Sequence, residues 1–211
     1  IIKEGADRSL KLRFVVDLLR AGINGAADIP ERVVLPRVSY FANSVVDLLA
    51  YPADADKSLE LFTMDFTDAF YTLWLREADR GSLVFRVAEG WAVFRRLCFG
   101  MAGAPLIWGR LAASACRLGQ ACFRPEELRL QCYVDDPASA VRGSAATRDR
   151  LIAILLLLWC AMGFVLSWEK GARGNCVHWI GATFTLGHHA HPVPGGRGYC
   201  DFPGVAVTVQ H

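Results

Sequence analysis

The chain has 211 residues, 53% of them hydrophobic, with a formal net charge of +2 and a pI near 8.2. That much apolar material can bury a substantial core, which excludes a disordered chain, and the small charge surplus excludes a polycationic binding module. Seven cysteines without a CxxC pair exclude a regular disulfide framework and read as small core residues of a reducing, intracellular compartment, not of a secreted protein.

Along the chain, two strand-like pieces, Leu12–Leu18 and Arg32–Leu35, flank a Gly-Ile-Asn-Gly turn at 22–25. From Pro36 to Tyr51 the residues Val38, Phe41, Val45, Leu48 and Leu49 recur at helical spacing. Leu59–Met64 reads as a strand that ends at Asp65, and Asp68–Leu75 opens a short helix or turn. Ser82–Val87 and Trp91–Leu97 alternate around Glu89-Gly90 as a hairpin, and Ala104–Arg117 is a helix with Pro105 in its first turn. Leu128–Val134 alternates with period two and carries Asp135 and Asp136 to a strand end, with a second strand beyond them. Thr147 with Arg148, Asp149 and Arg150 starts a helix over 147–162, and 164–168 is strand-like. The apolar run from Leu151 to Trp168 brushes the length of a membrane span, but Gly163 divides it; a buried helix and a strand are expected, and no membrane contact. A strand over His178–Leu186 precedes a Gly- and His-rich stretch at 187–211. Long helices packed on one face of a small antiparallel sheet make an α+β fold.

The chemistry concentrates in Asp135-Asp136 and in Asp65 about seventy residues upstream. Adjacent carboxylates repel, and one of such a pair holds its proton unless a cation sits between them. Mg²⁺ takes carboxylate oxygens together with substrate phosphates, and three acids at strand ends suit two ions ~3.5–4 Å apart across an in-line phosphoryl transfer. Arg86, Arg95, Arg96, Arg110 and Arg117 are candidate phosphate contacts, each equally readable as solvated surface. Cys176, His178, His188, His189, His191 and Cys200 invite a zinc reading, but their spacing fits no common finger.

Tyr133-Val134-Asp135-Asp136 resembles the central motif of reverse transcriptases, and five further segments resemble that family in the same order. Leu61-Phe-Thr-Met-Asp65-Phe-Thr-Asp-Ala-Phe70 resembles the first palm motif, and Leu97-Cys-Phe-Gly100-Met-Ala-Gly-Ala-Pro105 the segment that shapes the nucleotide and template pocket. Gly163-Phe-Val-Leu-Ser-Trp-Glu-Lys170 resembles the Gly-to-Lys motif, His178-Trp-Ile-Gly181 the primer grip, and Leu12-Arg13 to Arg20 with Asn24 the fingers segment. The resemblance spans roughly residues 1 to 185, and its wording is nearest to gypsy-like retrotransposon polymerases.

The resemblance implies a right-hand palm with fingers at 1–58 and 76–98, palm at 59–75 and 99–186, and 187–211 leading toward a thumb that this chain lacks. It implies attack of a primer 3′-hydroxyl on a deoxynucleoside triphosphate, with an RNA or DNA template. Asp65, Asp135, Asp136 and Lys170 would be catalytic, and two Mg²⁺ ions, or Mn²⁺, would sit on Asp65, Phe66, Asp135 and Asp136. Arg13, Lys3, Thr67, Asp68, Ala69, Phe70, Phe99 and Gly100 would hold the nucleotide, and Trp179, Ile180 and Gly181 the primer. Lys3 stands three residues off the family spacing. The backbone amides of Phe66 to Ala69 would cradle phosphate oxygens at a helix start, Lys170 would protonate the leaving pyrophosphate, and Phe70 would be a steric gate against a ribose 2′-hydroxyl. Phe70, and Val134 before the acid pair, disfavour an RNA-dependent RNA polymerase. Pro137, where the family carries an apolar residue with a free N–H, keeps a catalytically inactive nucleic-acid-binding relic as the alternative. The chain does not begin with Met and reads as a piece of a longer protein; its oligomeric state is open.

Overall fold

The computed structural model describes residues 2–4, 10–12, 15–52, 57–187, 199–202 and 204–209. In chain order these form β1 (Ile2–Glu4), β2 (Leu10–Leu12), α1 (Ile23–Ala26), α2 (Val38–Leu49), β3 (Ser58–Thr63), α3 (Glu77–Arg80), β4 (Val84–Val87), β5 (Gly90–Val93), α4 (Ala104–Ala121), β6 (Leu128–Tyr133), β7 (Asp136–Gly143), α5 (Ala145–Ala161), β8 (Ala172–Gly174), β9 (Cys176–Trp179), β10 (Ala182–Leu186), β11 (Tyr199–Phe202) and β12 (Val205–Val209). They fall into two compact units, residues 34–67 with 109–211, and residues 1–33 with 68–108.

The larger unit is built on the antiparallel sheet β6-β7-β3-β8. Its central strand β7 carries Ala138, Ser139, Ala140 and Val141, all buried, and such small residues let helices approach both faces. On one face α2 lays Phe41, Ala42, Val45 and Leu48 against Leu61, Ala138 and Ala140. On the other, α4 and α5 pack together: a Cβ placed on Gly119 would lie 3.1 Å from the Leu155 side chain and 3.2 Å from that of Leu130. Residues 34–58, expected with the fingers, therefore cluster with the larger unit, because the apolar stripe of α2 covers the sheet that carries the acids. A second antiparallel sheet, β11-β12-β10-β9, closes the same core with Val177, Trp179, Phe184, Val205 and Val207.

Several local expectations change. The single strand over His178–Leu186 is a hairpin, because Ile180 and Gly181 both take positive φ (42° and 76°) and reverse the chain, a conformation an isoleucine does not advertise. The strand expected over 164–168 is one bridge, Phe66 with Leu166, followed by a 3₁₀ turn over Trp168–Lys170. No strand forms over Arg32–Leu35, the turn at 22–25 is the single helical turn α1, and 187–211 contains β11 and β12. Helix α5 starts where the Ser144 hydroxyl accepts the Thr147 N–H (3.2 Å) and ends at Gly163, in the left-handed conformation (φ 86°). No helix of the described residues is long and apolar enough to cross a membrane.

The smaller unit packs Leu18, Leu75, Leu83, Leu97, Cys98 and Ala104 into its own core, beside the β4–β5 hairpin. Gly100 has φ 96°, and a Cβ there would lie 2.0 Å from the Val16 carbonyl oxygen, so only glycine fits. Asn24 staples this loop, donating to the Gly100 carbonyl (2.8 Å) and accepting from the Ala102 N–H (3.0 Å). Arg96 has structural partners: one nitrogen of its guanidinium donates to the Tyr71 and Thr72 carbonyls, and the group stacks 4.1 Å from the Trp74 ring.

An ionic clamp ties the sheet of the larger unit to α5. Glu60 on β3 accepts from Arg148 of α5 (2.9 Å) and is gripped in bidentate fashion by Arg173 of β8 (both 2.8 Å), while Arg173 also reaches Asp149 (2.6 Å). The Arg173 hydrogen bonds hold the Glu60 carboxyl below its ordinary range, against the opposing effect of burial and with help from Arg148. A depressed carboxylate stabilises above its unfolded pKa, and that stabilisation is lost as pH falls through the folded value. We therefore expect Glu60→Gln to cost about 1–3 kcal/mol at pH 7. The difference from the parent should shrink toward pH 3 in urea melts; a variant equally stable at pH 7 would show that the clamp contributes nothing.

Candidate active site

Asp65 lies two residues past the end of β3, and main-chain bonds fix it from both sides. Met64 N–H donates to the Pro137 carbonyl (3.1 Å), Phe66 N–H to the Asp135 carbonyl (2.8 Å), and Ser167 N–H to the Asp65 carbonyl (2.9 Å). The Phe66 ring anchors the segment, stacked on Phe164 (4.8 Å) and edge-on to Trp159 (5.3 Å). With that ring buried, only the main chain of Phe66 is in a position to meet a metal. Proline at 137 removes the reciprocal bond that antiparallel Met64 and residue 137 would exchange, yet pairing continues on both sides of it.

Asp135 lies in the two-residue bend that joins Tyr133 to Asp136, and Asp136 opens β7. Val134 in that bend has φ 54°, a costly conformation for a β-branched residue. Among the described residues, non-glycine positive φ occurs at Asp68, Val134 and Ile180, each inside a segment singled out from the sequence. The Trp179 indole N–H donates to the Asp136 carbonyl (2.8 Å), which locks the β9–β10 hairpin beside the acidic bend.

The Asp65 and Asp136 carboxylates meet. Asp65 and Asp136 share a hydrogen bond, and burial, the Asp135 charge and then Asp65 push the Asp136 carboxyl up to about 7, with Lys170 pulling the other way. Asp65 Oδ2 accepts the Lys170 ammonium at 2.5 Å and the Ser167 hydroxyl at 2.9 Å, and Ser167 Oγ lies 2.6 Å from Thr67 Oγ1. These groups open on a cavity of about 300 Å³ lined by Asp65, Asp136, Lys170, His178, Trp179, Ile180 and Gly181. His178 is held by a 2.8 Å contact between its Nδ1 and Thr183 Oγ1.

Ser167 is the residue that sequence reasoning missed as a site member; His178, which the sequence offered in a zinc reading and at the start of the primer-grip segment, lines the cavity instead. The contact of Ser167 with Asp65 spans about a hundred positions, and no local pattern signals it.

One expectation needs correction. The Phe66 and Thr67 amides are not available as a phosphate cradle, since they already donate to the Asp135 and Val165 carbonyls. The short helix or turn expected after Asp68 is one 3₁₀ turn, Ala69–Thr72, with Asp68 at its N-cap in the left-handed region (φ 51°). Among the described residues no group of three His, Cys, Asp or Glu side chains forms a ready-made cage for an ion; Lys170 pairs with Asp65, and Asp136 lies beside them.

Of the other expected nucleotide residues, Asp68, Ala69, Phe70, Phe99 and Gly100 belong to the smaller unit, where Phe70 meets Phe99 edge-on (5.2 Å). Lys3 lies in β1, and Arg13 lies outside the described residues, as do His188, His189 and His191.

An antiparallel sheet with two long helices on one face, bearing an acidic hairpin bend beside an aspartate-terminated strand, defines a polymerase-type palm. A family profile matches residues 33–184, and the chain belongs to the reverse transcriptase (RNA-dependent DNA polymerase) family. Among solved structures, a foamy viral protease–reverse transcriptase in complex with double-stranded DNA superposes with a TM-score of 0.58 at 16% identity, covering 87% of this chain and 28% of that one. A prototype foamy virus protease–reverse transcriptase mutant superposes with a TM-score of 0.60 at 14% identity, covering 85% of this chain and 21% of that one. At such identities the likeness is one of fold, and the chain spans less than a third of either structure. No curated protein sequence matches it.

Proposed function

We propose that this chain is the polymerising core of a retrotransposon RNA-directed DNA polymerase, with the smaller unit as fingers and the larger as palm. The observation that carries the reading is the convergence of Asp65 and Asp136, from segments about seventy residues apart, with Lys170 in one cavity rimmed by the Trp179–Gly181 turn. The donor set is hard carboxylate oxygen, and without a divalent cation one of its protons persists to about pH 7, so the residues fit Mg²⁺ or Mn²⁺. Two such ions, when bound, would lower the pKa of the primer hydroxyl and neutralise charge on the phosphates.

The chain's own part is positioning and charge. Asp65, Asp135 and Asp136, with the Phe66 main chain, form the anionic floor. The primer 3′-hydroxyl gives its proton to solvent water as its oxygen bonds to the α-phosphorus, the bond from that phosphorus to the bridging oxygen breaks, and Lys170 delivers a proton to the leaving pyrophosphate. The turn at Ile180 and Gly181 faces the same cavity and would hold the primer end. Template and primer, RNA or DNA, are the partners this reading requires, and unbroken pairing around Pro137 supports an active site over a relic. The test is extension of a 5′-labelled primer on RNA and on DNA templates by the 211-residue chain with dNTPs and Mg²⁺, set beside an EDTA control. Metal-dependent addition is expected; no addition at any metal concentration would overturn the reading.

Phe70 gives a separate prediction. If its ring excludes a ribose 2′-hydroxyl, Phe70→Ala lowers the ratio of kcat/KM for dNTP over rNTP by about 10- to 200-fold, the range one filled or emptied contact supplies. The ring also packs on Phe99, so some stability is lost with it. An unchanged ratio would mark Phe70 as a core aromatic only.

A further inference from the structure

The Lys170 ammonium lies 2.5 Å from Asp65 Oδ2, and Ser167 Oγ meets the same oxygen at 2.9 Å. We propose that Lys170 is a tethered stand-in for the metal: it occupies this oxygen in the metal-free site, is displaced by the ion, and thereby sets how tightly the site takes metal. The inference rests on the metal-dependent reading above and adds a role for Lys170 that precedes any proton transfer.

Three features of the site carry it. First, the Lys170 side chain is 49% exposed while Asp65 is 13% exposed, so the lysine can swing into water at little desolvation cost whereas the carboxylate cannot follow. Second, the backbone under the lysine is anchored independently: Lys170 N–H donates to the Ser167 carbonyl (3.0 Å) and Gly171 N–H to that of Trp168 (3.2 Å), so only the side chain need move. Third, Ser167 stays on Oδ2 when the lysine leaves, because its own main chain is bonded to the Asp65 carbonyl, and the carboxylate keeps its orientation. A lysine that leaves Asp65 is also released toward the cavity it lines, where a triphosphate would lie. Metal entry and arming of the proton donor are then one event.

An ion pair with a half-exposed lysine competes weakly, so its removal should tighten metal binding by about two- to fivefold. The experiment is Mn²⁺ titration of the 211-residue chain followed by electron paramagnetic resonance, comparing the parent with Lys170→Met, Lys170→Arg and Asp135→Asn. We expect Lys170→Met to bind more tightly, Lys170→Arg to bind as the parent does, and Asp135→Asn to bind more weakly. Equal or weaker binding by Lys170→Met, with the Asp135→Asn loss retained, overturns the stand-in role and leaves the polymerase reading in place. Lys170→Arg binding as tightly as Lys170→Met would also overturn it, since a retained cation must still compete. If Asp135→Asn binds as well as the parent, the acids are not the metal site and both readings fall.

Discussion

Asp135→Asn is expected to lower nucleotide addition by at least about 10³-fold, because the proposed role of that carboxylate in metal binding and phosphoryl charge stabilisation carries several kcal/mol. Asparagine is nearly isosteric, and the structural duty of Asp135 lies in its main chain, whose carbonyl accepts the Phe66 N–H at 2.8 Å; the substitution leaves that bond intact. It also removes one of the two like charges that raise the Asp136 carboxyl, so metal-free stability should hold or rise slightly. Single-nucleotide incorporation under saturating substrate, with a thermal melt of each protein, checks both halves. Activity within tenfold of the parent in a folded variant would remove Asp135 from the machinery.

Phe41→Ala is expected to be the most damaging change in the core. The ring is fully buried between the two sheets, edge-on to Trp179 (5.2 Å) and to Phe184 (4.9 Å). Emptying such a site costs about 3–5 kcal/mol, and in a domain of this size each kcal/mol lowers Tm by about 2–4 °C. The loss reaches function as well as stability, since Trp179 carries the indole that bonds the Asp136 carbonyl. Phe41→Leu should recover much of the stability. A urea midpoint for Phe41→Ala that matches the parent would mean the two sheets do not share a core through this residue.

Much of this was legible beforehand. Helix α2 follows the spacing of Phe41, Val45 and Leu48, α4 starts around Pro105, and α5 ends at Gly163, because periodicity and punctuation are local properties of a chain. The acids stand where strand-like segments end for the same reason. The β9–β10 turn was not legible, because its reversal is made by an isoleucine at positive φ, held there by Trp179, Phe184 and the pairing of β10 with β12. Strand β12 was hidden as well: a short Val-Ala-Val-Thr-Val segment becomes a strand when β10 offers it an edge.

The sequence by itself determined the family and the order of the motifs, and it singled out Asp65, Asp135 and Asp136 as candidates, since each motif is written in adjacent residues. Only the tertiary structure decided what those acids touch. Which oxygen Lys170 takes, that Ser167 orients Asp65 from a hundred positions away, and that the Phe66 and Thr67 amides are consumed by pairing all depend on contacts between distant segments. Such contacts are set by which faces the core buries, and that selection is made by the whole fold at once.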